Sequence, residues 1–174
     1  MERVENAKVI NATPCSYNGI DFKSKLEMNI YKAIESEGYA PLYEPITFTI
    51  WNGFKPRIPF YKKRVIKDSQ GALVKKMALE NTKIRDITYT PDIIFYAGTR
   101  MILVEVKPDY ENDVFPYKKK LFRRFLETQF EGISEEHMPI YVQVGTIKHL
   151  KDFIKILKEE YNNEESERNI PSYN

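Results

Sequence analysis

Asp92, Glu105 and Lys107 are the charged members of two otherwise apolar stretches, and their spacing brings them to one place. Asp92 to Tyr96 and Met101 to Lys107 read as strands, with Gly98-Thr99 between them as a two-residue turn. Glycine in the first of two turn positions suits a tight hairpin. Such a turn pairs Ala97 with Arg100, and counting outward sets Asp92 opposite Glu105. Directly paired residues hold their Cβ atoms about 5 Å apart, and like charges there destabilise a sheet. Alternation along the second strand puts Leu103, Glu105 and Lys107 on one face. Two carboxylates and an ammonium therefore converge at one end of the hairpin. A divalent cation with oxygen ligands relieves such repulsion, and Mg²⁺ typically takes one or two carboxylates plus waters and phosphate oxygens. The plain alternative is a surface ion cluster of little energetic value. Against it stand Ile93, Ile94, Phe95, Ile102, Leu103, Val104 and Val106. Strands this apolar are usually covered on both faces, where a charge without a task is costly.

The elements around this hairpin follow from period and punctuation. Ser24 to Glu37 reads as a helix, with Leu26, Ile30, Ala33 and Ile34 on one face and Gly38 as its stop. Ser24 followed by Glu27 fits a capping box, and Glu27 also borders the buried face through Tyr31 and Ile34. Ile46 to Trp51 reads as a strand. Tyr117 to Phe130 reads as a helix with Leu121, Phe122, Phe125 and Leu126 inward. Ile140 to Val144 is a further strand, and Lys148 to Tyr161 a last helix burying Leu150, Phe153, Ile154 and Leu157. Residues 1–20 read as irregular, with turn signals at Thr13-Pro14 and Asn18-Gly19. The expectation is one α/β domain over 1–161, its core at about 21–157, a basic insertion at 55–85 and a polar, flexible tail at 162–174.

Composition narrows the function classes. The chain has 174 residues, 42% hydrophobic and 30% charged, which suits a single globular core rather than disorder. No apolar run reaches the ~20 residues that cross a bilayer, and the N-terminus lacks the apolar core of a secretory signal. Cys15 is the one cysteine, so no internal disulfide framework is possible and a reducing cytoplasm is expected. One cysteine and two distant histidines, His137 and His149, argue against a Cys/His zinc site. The net charge of +2 conceals an uneven spread: Lys55 to Arg85 holds ten basic residues against Asp68 and Glu80, a local charge of +8. Such a segment, Lys62, Lys63 and Arg64 within it, is either a solvated loop or a contact for a polyanion. Lys118 and Lys120, shortly after the second strand, are either a polar helix face or a grip on phosphates.

Pro91-Asp92, twelve intervening residues, and Glu105-Val106-Lys107 together resemble the PD-(D/E)xK nuclease motif. The resemblance covers roughly Asp21 to Val144. It implies a restriction-endonuclease-like core: a mixed central β-sheet whose hairpin carries the active site, flanked by helices. It implies that Asp92 and Glu105 hold Mg²⁺ or Mn²⁺, joined by the backbone carbonyl of Val106, and that Lys107 serves the attacking water and the phosphate. Glu27, in Phe22-Lys23-Ser24-Lys25-Leu26-Glu27, matches the upstream helical Glu of that superfamily, so the resemblance implies that it is a catalytic residue and a further metal ligand, with a helix cap as its plain alternative. Phe115 to Phe122 resembles a segment of phage nucleases of Holliday-junction-resolvase type. Tyr89 to Asp92 and Glu105 to Pro108 are similar to the endonuclease subunit of heteromeric transposases. The function so implied is a metal-dependent DNA endonuclease acting on branched or recombination DNA. Its alternatives are a transposase-type end-cleaving subunit and a catalytically silent DNA-binding module on the same fold. The implied partner is DNA, with room for a homodimer or a larger nucleoprotein complex. The implied location is the cytoplasm, that of a bacterial host if the chain is phage-encoded.

Overall fold

A computed structural model describes residues 14–107 and 115–168, with side chains described as far as Glu160. The fold is mixed α/β. It divides into two compact units, Met1–Thr47 with Thr90–Asn174, and Phe48–Tyr89. The sequence suggested one domain with an insertion at 55–85; the second unit is wider because the strands flanking the basic stretch pair with each other.

The larger unit opens with a small hairpin, β1 (Cys15–Tyr17) and β2 (Ile20–Phe22), where the sequence reading had only an irregular stretch. Asn18 and Gly19 form its turn with φ of 50° and 77°, the left-handed pair that a type I′ turn requires. Helix α1 (Lys25–Ser36) follows, started by Ser24, whose Oγ accepts the Glu27 N–H at 3.2 Å. A four-stranded sheet then assembles in the order β10 (Ile140–Val144), β9 (Arg100–Val106), β8 (Ile93–Ala97), β3 (Leu42–Tyr43). β3, β8 and β9 run antiparallel in turn, whereas β10 is parallel to β9, so the sheet is mixed.

Alternation sorts the sheet into two faces. Ile93, Phe95, Ile102, Val104 and Val106 pack with Ile30 and Ile34 of α1 and with Leu150, Ile154 and Leu157 of α3 (Ile147–Arg168). The opposite face is covered by α2 (Phe115–Gln129), whose Phe122 meets Tyr141 of β10 edge-to-face at 5.2 Å. Both faces of the hairpin strands are thus covered, as their composition requires. Leu121, expected inward, is exposed; the inward stripe of α2 is Phe115, Phe122 and Leu126. Helix α3 continues to Arg168, into the stretch read as a flexible tail. No helix among the described residues is long and apolar enough to cross a membrane.

The smaller unit is a ladder of two ribbons. β4 (Phe48–Trp51) pairs with β7 (Ile87–Tyr89), and β5 (Phe60–Lys67) with β6 (Leu73–Glu80), both antiparallel. Between them Phe54 and Ile84 exchange backbone bonds of 3.0 and 2.8 Å. Gly53 is obligatory here, since a Cβ would collide with the backbone of Ile84 to Asp86. At the far tip Asp68 Oδ1 accepts the N–H groups of Gln70 and Ala72, each at 2.9 Å.

Candidate active site

The hairpin register is the one that turn arithmetic dictates: Ala97 faces Arg100 and Ile93 faces Val104. One step further, just before β8, comes Asp92. Its Oδ2 accepts the Val106 N–H at 2.7 Å, and its carbonyl accepts the Glu44 N–H at 2.9 Å. The Asp92 side chain is therefore fixed across the end of β9 by backbone. Glu105, 8% exposed, is the buried charged residue among the described side chains. Burial first, and then the charge of Glu105, hold the Asp92 carboxyl well above the ordinary carboxylate range. The Val106 N–H pulls it back partway, and Glu27 and Glu44 push it further up. Negative potential from three other carboxylates thus meets at Asp92.

Glu27 arrives from the first turn of α1. Its Oε1 accepts the Ser24 hydroxyl at 2.9 Å and its Oε2 accepts the Tyr43 hydroxyl at 2.5 Å. The Glu27 carboxylate bonds the Ser24 hydroxyl, whereas the reciprocal capping box uses the cap's backbone N–H. Tyr43 was invisible to sequence reasoning, yet it ties this carboxylate to the edge strand of the sheet. Burial and the bond to Glu27 raise the Tyr43 hydroxyl pKa far above its usual value, so Tyr43 is a fixed donor.

Lys107 follows β9, held by its N–H to the Val144 carbonyl at 2.9 Å. Its Nζ lies 4.7 Å from the centre of the Phe115 ring. Glu105 pairs with Gln143 across the parallel strands, and Gln143 Oε1 accepts from Lys119 Nζ at 3.1 Å. Lys119 therefore reaches the sheet face that carries Glu105. The exposed Lys118 and Lys120 lie about 100° to either side of it around the helix. The structure thus brings together Asp92, Glu105 and Glu27, with Lys107 following β9 against Phe115, and sets Lys119, beside the lysines singled out by sequence, on the sheet face that carries Glu105. Lys119 follows Phe115 by one turn, on the stripe that continues through Phe122 and Leu126, and that spacing is the signal that marks it. Beside it, a cleft of about 460 Å³ is lined by Lys119, Arg123, Tyr141 and Gln143.

Lys62, Lys63 and Arg64 lie on β5, in the other unit. Glu80 takes Lys62 at 2.7 Å and Arg64 at 3.2 Å. Its carboxyl is held down to about 2, chiefly by the Lys62 bond and then by Thr82. Asp109, Glu111 and Asp113, which follow the motif in sequence, lie outside the described residues. Among the described residues no three Asp, Glu, His or Cys side chains form a ready metal cage. Asp92 and Glu105 offer hard oxygen donors, in a repulsive arrangement, of the kind that would suit Mg²⁺ or Mn²⁺. No protein-family model, curated protein or solved structure matches this chain.

Proposed function

We propose that this chain is a metal-dependent DNA endonuclease of the PD-(D/E)xK kind, hydrolysing phosphodiester bonds in branched or recombination DNA. The observation that carries the reading is the Asp92–Glu105 carboxylate pair at the end of a covered hairpin, Glu105 buried and Asp92 partly so, with Lys107 two residues beyond Glu105. The mixed sheet between helices is what a restriction-endonuclease-like core would supply.

Asp92 and Glu105 would hold the cation, with the carbonyl of Val106. Once bound, Mg²⁺ or Mn²⁺ supplies a lowered pKa for an attacking water and neutralises phosphate charge. The protein's own groups do the rest. The Val106 N–H fixes one Asp92 oxygen and leaves the carboxylate oriented. Glu27, immobilised by Ser24 and Tyr43, adds a third carboxylate to orient the water. Lys107 places positive charge where negative charge grows on phosphorus. Lys119, with Gln143, grips the neighbouring phosphate.

The test is plasmid nicking with Mg²⁺ or Mn²⁺, with and without EDTA, followed by junction, flap, duplex and single-stranded substrates. EDTA-sensitive cutting with preference for branched DNA is expected. Absence of cleavage on every substrate with either cation would overturn the proposal.

The Glu27 role has its own test. Glu27→Gln keeps a group that both hydroxyls can bond, so unfolding free energy should change by no more than about 1 kcal/mol. Cleavage should fall about tenfold or more, as when a group orienting a metal site is lost. Equal rates for variant and wild type would reduce Glu27 to a helix cap.

A further inference from the structure

We propose that the β5–β6 ribbon is an arm that enters a groove of duplex DNA, and that only one of its faces makes the contact. That face carries Lys63, Lys67 and Lys75 among Val65, Leu73 and Met77. Register sets them together: Lys63 faces Met77, Val65 faces Lys75, and Lys67 faces Leu73. No acidic residue occupies this face anywhere along the two strands. The other face holds Lys62, Arg64 and Lys76, and there Glu80 takes the first two. The sequence treats Lys62, Lys63 and Arg64 as one basic run; the pleat separates them and leaves Lys63 alone of the three on the unopposed face.

The occupant follows from the chemistry of the face. Val65, Leu73 and Met77 are 57%, 70% and 67% exposed, a continuous apolar strip that water does not favour. A second copy docked on it would set its three lysines against the same three lysines. A polyanion with apolar surface between its charges satisfies both halves at once: phosphates take the lysines, and sugars and base edges take the strip. Two strands about 5 Å apart fit a major groove about 12 Å wide, which admits a two-stranded ribbon. The inference rests on the nuclease reading only in choosing DNA among polyanions.

The experiment measures binding of the full chain to a fluorescent 25-base-pair duplex in EDTA, over a salt series, so that no cleavage intervenes. Lys63→Ala, Lys67→Ala and Lys75→Ala combined should weaken binding at least about tenfold. The combination should also flatten the slope of log K against log salt by up to about 2.7 units, the release expected for three phosphate contacts. Lys62→Ala with Arg64→Ala should cost several-fold less. Matched thermal melts guard against misfolding, and all five positions are exposed. Equal losses for the two sets, or no binding by the wild type, would overturn the arm. So would a triple variant that loses self-association while keeping its DNA affinity, since the face would then be a contact between copies. If the triple variant weakens binding as expected while the wild type cuts nothing, the arm stands and the nuclease reading falls.

Discussion

Under the nuclease reading, Asp92→Asn and Glu105→Gln should each abolish cleavage, by at least about 10³-fold, and make the metal-free chain harder to unfold at neutral pH. The two effects have one cause. Asp92 sits above its ordinary ionisation range because burial and Glu105 disfavour its charge. Below the unfolded carboxyl's pKa both folded and unfolded chains carry the proton, and the site costs nothing. As pH rises past that value the unfolded chain releases its proton first, so the folded state binds more protons and stability falls with pH. The loss is complete once pH passes the raised folded value. Asn removes the charge and still offers an oxygen to the Val106 N–H, whereas Ala would leave that N–H without its acceptor. In a chain this long each kcal/mol of relieved repulsion lifts Tm by about 2–4 °C. Calorimetry should therefore find both variants above wild type at pH 7 in EDTA, with the Asp92→Asn gain shrinking toward pH 4. A variant melting below wild type, or cutting normally, would remove the pair from the site.

Lys107→Ala should lose about 10²- to 10³-fold in turnover at saturating DNA while its affinity changes little, because the charge it would contribute matters most where the transition state gains charge. The Lys107 Nζ lies 4.7 Å from the centre of the Phe115 ring. Lys107→Arg should restore less than a tenth of the rate, since a planar fork does not fill the position of a point charge. Single-turnover rates beside anisotropy binding separate the two quantities. Weak binding with a normal rate at saturation would assign Lys107 to substrate grip instead.

What could be read in the sequence was what short-range rules fix. The two-residue turn at Gly98-Thr99 leaves one register for its strands, so Asp92 and Glu105 were placed by counting. Ser24 and Glu27 announced the start of α1 because a cap acts over three residues. Tyr43 was hidden because its bond to Glu27 spans 16 positions and its strand, two residues long, has no period to detect. The β5–β6 ribbon was illegible for a different reason. Alternation marks a strand when one face is buried, and here the residues of β5 are exposed throughout. The Asn18-Gly19 hairpin had its turn signal, but flanking strands of three residues gave nothing to support it. Lys119 was lost in a run of three lysines, among which only the helical phase of Phe115 and Phe122 discriminates.

The chain leaves the larger unit and returns to it at a single point. Phe48 and Tyr89 are strand partners, and the hydroxyls of Thr47 and Thr90, one residue outside them, are 2.7 Å apart. Adjacent ends are what allow a segment to be spliced into or out of a host without opening it. The closure entropy that a host bears for such a detour grows only with the logarithm of its length, so the arm can lengthen or shorten while the host is left nearly untouched. The two units are thus free to diverge at different rates, the ribbon unit exchangeable as a cassette and the sheet unit confined by the geometry of a single hairpin.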